Sequence, residues 1–217
     1  MDLDTLPDFM KDRNAVLKTA ATWQEGPPPD YSLVDELYDR EKSVHHEPGS
    51  LEDLVSNLIK NWEREVSHNK NPSEWRTMDA SKFTFGSNGH WLTGQKLGEV
   101  GNYNALIGEN EFYSAKRVGS SEESHKLFRG AFTQGFAWEV LEVLSPPPKV
   151  TVKWRHWGRL AGGMSCPMRN GEDREVLPSG KEIVIFGISI ATLDELYRVT
   201  ALETFWNPDQ LMSQIAA

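Results

Sequence analysis

The chain has 217 residues, long for one small domain and short for two, so one domain is expected; 38% apolar and 25% charged residues are ordinary for a globular protein. A net charge of −9 with no run of Lys and Arg argues against nucleic acid and against an anionic membrane surface, because both need a basic patch. One cysteine, an N-terminus carrying Asp2, Asp4 and Asp8 with no apolar leader, and no apolar run near the ~18 residues that span a bilayer point to a reduced, cytoplasmic compartment.

Residues 1–29 start polar and end in Gly26-Pro27-Pro28-Pro29, an arm laid over the domain or partly disordered. Residues 30–212 then form the domain and 213–217 a tail. A short helix is expected from Tyr31 to Arg40, with Leu33, Val34, Leu37 and Tyr38 on one face, broken by His45-His46-Glu47-Pro48-Gly49. Ser50 caps the clearest element, and Asp53 suits the positive end of its dipole. Leu51, Leu54, Val55, Leu58, Ile59, Trp62 and Val66 follow helical spacing for about four turns, ending near His68 to Pro72.

Glu74–Phe85 reads as a small hairpin or two short strands anchored by Trp75, Phe83 and Phe85. Thr93 caps a helix running through Leu106, and Ser120 or Ser121 caps another through Phe132. From Gly135 the pattern changes to strands: Phe136–Ser145, Lys149–Leu160, Lys181–Thr192 and Leu196–Asn207. Pro146-Pro147-Pro148 separates the first two, and a short turn at Asp194-Glu195 joins the last two. Helices followed by an antiparallel meander make an α+β fold, with a curved sheet around a ligand-sized cavity.

Dinucleotide, phosphate-loop, serine-hydrolase elbow and His-Glu-x-x-His signatures are absent, so no organic cofactor is expected. Cys166, in a Gly/Pro/Met-rich loop without a local base, reads as an incidental thiol. His156 continues the alternation Val150, Val152, Trp154 and so faces the pocket, where an imidazole can move protons near neutral pH or simply be a buried, hydrogen-bonded residue. Glu65 and His68, three apart on one helix, form either an orienting pair or a surface ion pair. His125 shares a helix side with Phe128 and Phe132, as a core residue or a catalytic one.

Glu139 alternates with Leu141 and Val143, which makes it an inward carboxylate or a cross-strand partner of Lys153 or Arg155. His68, His125, His156 and Glu65 are ligand types that zinc or iron accepts, but their spacing carries no metal signature, and no metal is expected. Trp62, Tyr103, Trp138, Trp154 and Phe186 are the candidate apolar lining.

Five stretches carry a likeness: Gly49-Ser50-Leu51-Glu52 through Trp62 to His68; Asn102-Tyr103-Asn104-Ala105-Leu106; Ser124-His125-Lys126-Leu127-Phe128-Arg129 with Gly135-Phe136-Ala137-Trp138-Glu139; Trp154-Arg155-His156-Trp157-Gly158; and Phe205-Trp206-Asn207-Pro208-Asp209. In these, over about residues 27–212, the chain resembles the pathogen-related proteins of plants and their fungal relatives. The resemblance implies an architecture similar to the SnoaL-like and NTF2-like cone barrels, a curved antiparallel sheet closed by N-terminal helices around a pocket. Proteins of that architecture include polyketide cyclases, dehydratases and ketosteroid isomerases, and many pair through the outer sheet face; strand Ile183–Ile190, apolar on both sides, permits a homodimer. His45 and His46 fall outside the likeness and inherit no role.

Three functions stay open: a cofactor-independent cyclase, isomerase or dehydratase on a hydrophobic secondary-metabolite intermediate; a non-catalytic binder of a small hydrophobic ligand in a defence role; or a protein-interaction domain.

Overall fold

The computed structural model describes residues 3–69 and 71–216; Met1, Asp2, Lys70 and Ala217, which belong to the expected arm, long-helix end and tail, lie outside the described residues. Helix α3 (Leu51–His68) organises what surrounds it. Ser50 Oγ accepts from the Asp53 amide at 3.2 Å, and Asp53 Oδ2 accepts from the Gly49 amide at 2.9 Å, so the first turn is closed by side chains. Leu54, Val55, Leu58 and Trp62 bury the expected stripe. On the other side Asn61 donates to the carbonyls of Phe9 and Asp12, and Arg64 grips both oxygens of Asp35 at 2.9 and 3.1 Å. The segment read as an arm thus lies along α3, with helix α1 (Asp8–Lys11) and the turn Ala15–Lys18 burying Phe9, Met10, Ala15 and Val16.

Helix α2 (Ser32–Glu41) covers the far side of the sheet, where Leu37 meets Trp157 and Ala137. The six-stranded sheet runs β2-β1-β8-β7-β4-β3. Strands β3 (Phe136–Ser145), β4 (Lys149–Arg159), β7 (Glu182–Leu193) and β8 (Val199–Phe205) pair antiparallel, as the alternating sequence predicts. Strand β1 (Thr84–Ser87) adds parallel to β8, and β2 (His90–Thr93) closes that edge. The curved, unclosed sheet with helices across its inner face is the α+β arrangement expected.

Two local expectations are corrected. The hairpin placed at Glu74–Phe85 lies further on, because Asn88 (φ 49°) and Gly89 (φ 83°) supply the left-handed turn that joins β1 to β2. The helix predicted from Thr93 through Leu106 is two, α4 (Gly94–Val100) and α5 (Asn102–Ile107), split where Gly101 takes φ 84°. Helix α6 (Ala115–Val118), the hairpin of β5 (Met164–Pro167) with β6 (Asp173–Val176), and helix α8 (Asp209–Ala216) are additional to the elements read from the sequence. In α8, Leu211, Met212 and Ile215 are buried, so this helix packs onto the core and carries Ile215, from the segment read as a tail, with it. Helix α7 (Ser121–Ala131) opens on a capping box between Ser120 and Glu123. Among the described residues no helix is long and apolar enough to cross a membrane.

Candidate functional site

Between α3 and the inner face of the sheet lies a cavity of about 180 Å³, with α5, α7, α8 and the start of α2 forming its other walls. An apolar cavity of about 150 Å³ holds a benzene ring, so the space is of ligand size. Its walls are aromatic: Trp62 from α3, Tyr103 from α5, Phe136 and Trp138 from β3, Trp154 from β4. Trp62 stacks on Phe85 with ring centroids 6.3 Å apart, and Tyr103 stacks on Phe128 at 4.1 Å.

Trp154 is held by a short polar chain: its indole N–H donates to Ser189 Oγ at 2.9 Å, and Ser189 shares a 2.7 Å hydrogen bond with Thr204. The indole lies flat on β7 because Gly187 offers no side chain; a Cβ there would come within 2.2 Å of the ring.

His156 reaches the cavity as the alternation of β4 predicts. Its Nδ1 lies 2.8 Å from the Ala137 carbonyl oxygen, which can only accept, so Nδ1 carries the proton. The ring stacks on Phe136 at 3.7 Å. Burial pushes its pKa down to about 4, against the opposing charge of Glu63 and the carbonyl hydrogen bond. At neutral pH the ring is uncharged and Nε2 presents a lone pair, with no hydrogen bond to it among the described residues.

Sequence reasoning passed over Glu63, which also lines the cavity. Burial alone would raise its carboxyl, but Lys60 Nζ donates to Oε2 at 2.8 Å, and that charge, with His156 and Arg64, holds the acid down at about 2. Its field acts on Tyr31, Tyr103, His68, His125 and His156. The signal was present: Glu63 stands four residues after Ile59 and three before Val66, an acid inside the apolar stripe of α3. Tyr31, also on the wall, packs under Lys60 and Arg64, whose charges lie 4.7 Å from its ring centre. Burial raises the phenol pKa of both Tyr31 and Tyr103, so both hydroxyls stay protonated.

Glu139 and Glu65, both expected at the site, fall elsewhere. Glu139 is fully buried on the opposite face of β3, ion-paired with Arg155 at 2.8 Å and accepting from the Ser43 amide and hydroxyl. The alternation that placed it inward breaks at a bulge between Val140 and Glu142: Trp138 and Val140 stand opposite His156 and Trp154, yet Val143 stands opposite Val152, so the inward set changes parity. Glu65 accepts from the Arg76 and Thr77 amides at 2.8 and 2.9 Å and from the Thr77 hydroxyl, fastening the loop after α3; it does not line the cavity, and burial raises its pKa.

Phe186 is 49% exposed on the outer face, and Ile185 takes the wall position. With apolar residues on both sides of β7, its inward parity cannot be read from sequence. His125 lines the cavity, and His68 packs edge-on against it with centroids 5.1 Å apart. Burial lowers both, His68 to about 4. Among the described residues no group of three His, Cys, Asp or Glu side chains is placed to hold a metal ion. Cys166 is buried with its Sγ donating to the Phe112 carbonyl, and burial pushes the thiol up to about 11.

No protein-family model matches the chain. Among solved structures, a candidate polyketide cyclase from Acidithiobacillus ferrooxidans is 14% identical, with a TM-score of 0.41 over 79% of this chain and 98% of that one. A candidate SnoaL-like polyketide cyclase from Jannaschia sp. CCS1 is 16% identical, with a TM-score of 0.39 over 80% and 99%. A protein of ketosteroid isomerase-like fold from Catenulispora acidiphila is 10% identical, with a TM-score of 0.39 over 73% and 92%. In sequence, a pathogen-related protein of Hordeum vulgare is 32% identical over 192 residues, 85% of this chain and 77% of the relative. Identity at that level over most of both chains shows common descent, and this chain belongs to the pathogen-related protein family.

Proposed function

We propose that this protein is a cofactor-independent cyclase or isomerase, or a dehydratase, acting on a hydrophobic small molecule held among the cavity tryptophans. The observation that carries the reading is an aromatic cavity containing an ionised carboxylate, Glu63, and an imidazole nitrogen, His156 Nε2, without a protein partner. A substrate O–H or acidic C–H would give its proton to Nε2, forming an imidazolium beside the Glu63 charge; the same nitrogen would return the proton at another atom, so the isomer leaves with its mass unchanged. In the dehydratase variant the returned proton goes to a departing hydroxyl and leaves as water.

Both groups are weak bases, with Glu63 near 2 and His156 near 4, well away from the neutral pKa that proton abstraction favours. That favours a reaction in which the walls fold a flexible chain into its ring-closing conformation and the polar pair only steers it. It also supports a second reading, a carrier that returns its ligand unchanged.

The test is mass spectrometry of a metabolite extract, from the native host lacking this gene, incubated with the protein and with His156→Ala. Appearance of an equal-mass product, or of one lighter by water, is the expected result. A loss of about 100-fold or more in the variant marks acid–base chemistry, and retained turnover marks conformational control. A compound that co-purifies and returns unaltered would replace the enzymatic reading with the carrier.

A further inference from the structure

We propose that the ligand of this cavity enters with a hydrogen-bond donor leading, a phenolic or enolic hydroxyl on a neutral ring system, and that carboxylate-bearing ligands of the same shape are rejected. The proposal rests on the cavity being the functional site and adds the class of molecule that fits it.

The polar atoms on the cavity wall divide by hydrogen-bonding sense. Glu63 can only accept; Lys60 occupies Oε2, and Oε1 has no hydrogen bond among the described residues. His156 has its proton committed to the Ala137 carbonyl, so what it offers the cavity is an acceptor. Ser189 and Thr204 are engaged with each other and with Trp154. The indole N–H groups of Trp62 and Trp206 are donors without partners, but both nitrogens are shut off from open space. The hydroxyls of Tyr31 and Tyr103 can act either way. The cation beside the site, Lys60, is already paired with Glu63.

A ligand carboxylate would therefore meet a fixed negative charge and a lone pair, with no unpaired cation to receive it. A hydroxyl would meet two acceptors. Toward α5 and α7 the wall also carries Ser67, Asn102, Ser121, Ser124 and His125, polar groups without a fixed charge, with Asn102 Nδ2 donating to Ser67 Oγ and Ser124 Oγ to the Ser121 carbonyl. The rest is aromatic and aliphatic and favours a ring system.

Isothermal titration calorimetry at pH 7.5 with 2-naphthol, 2-methoxynaphthalene and 2-naphthoate separates donor, isosteric non-donor and anion. The expected order is naphthol tightest, by about tenfold or more over methoxynaphthalene, with naphthoate weakest, since a hydrogen bond to a charged acceptor is worth at least that factor. In Glu63→Gln the naphthol advantage should shrink several-fold and naphthoate should gain. His156→Phe, which keeps the stack on Phe136, should shrink the advantage without admitting naphthoate.

Naphthoate binding as tightly as naphthol to the unaltered protein overturns the proposal. So does a naphthol advantage unchanged in both variants, or no binding by any of the three. Because binding is read without turnover, donor preference with no conversion in the extract defeats the enzymatic reading and leaves this one standing. Conversion without donor preference does the reverse.

Discussion

Three carboxylates show how position decides chemistry at the scale of a residue. Glu65 and Glu139 are fully buried, whereas Glu63 keeps 36% of its side chain accessible and is the one of the three on the cavity wall. Glu65 is two residues further along α3, about 200° around the helix, and spends its oxygens on the loop at Arg76-Thr77. Glu139 neutralises Arg155 on the outer face. Gly187 is the counterpart among small residues, since the Trp154 ring occupies the space a side chain would need. Gly187→Ala should displace the indole from its bond to Ser189 and cost about 1–3 kcal/mol in urea denaturation, with a shift in tryptophan emission. An unchanged midpoint and spectrum would show that Trp154 is not held by that contact.

At the scale of elements, the α4–α5 corner depends on one glycine. Gly101 takes φ 84° and ψ 156°, a region open essentially to glycine alone, and a Cβ there would stand 2.7 Å from the Ser121 Cα. Gly101→Ala should therefore destabilise by about 2 kcal/mol or more and move Asn102 and Tyr103 relative to the cavity. Gly98, within α4 and with nothing within 4 Å of an added Cβ, should respond oppositely. Gly98→Ala should stabilise by roughly 0.5–1 kcal/mol through helix propensity. Thermal melts of the two variants side by side test both signs, and equal shifts would contradict the argument. The helix read through Leu106 failed at this corner because Thr93, Leu97 and Val100 keep helical spacing up to the break, while the turn itself is forced by the approach of α7.

Across the whole molecule, the buried histidines tie stability to pH. His68 and His156 are held at about 4 against an ordinary 6.5, chiefly by burial, and His125 is lowered for the same reason. Above about 6.5 both folded and unfolded chains keep these rings neutral, and their contribution is fully present. As pH falls from 6.5 toward 4, the unfolded chain takes up protons that the folded chain refuses, and stability drops by up to ~1.4 kcal/mol per unit for each such ring. Glu63, lowered to about 2, contributes stability above 4.5 that is lost as pH falls further through 2. Glu65, raised by burial, offsets part of the loss on acidification. Urea midpoints should stay nearly level from pH 7.5 to about 6.5 and then fall toward pH 4.5, and His68→Phe with His156→Phe should flatten that fall. A flat profile in the unaltered protein would mean that these rings are protonated in place.

Local forces write part of this fold into the chain. The cap at Ser50, the apolar spacing of α3, the strand Phe136–Ser145 and the triproline break after it, and the inward phase of His156 all follow from interactions within a few residues. Tertiary structure alone decided the rest. The parity of Glu139 turned on a bulge, the wall position of Ile185 over Phe186 on which side of an all-apolar strand faced α3, and the meeting of Tyr31, Glu63, Tyr103 and His156 on segments far apart in the chain. Those outcomes depend on which surfaces pack against which, and burial between distant segments leaves no period in the sequence from which it could be read.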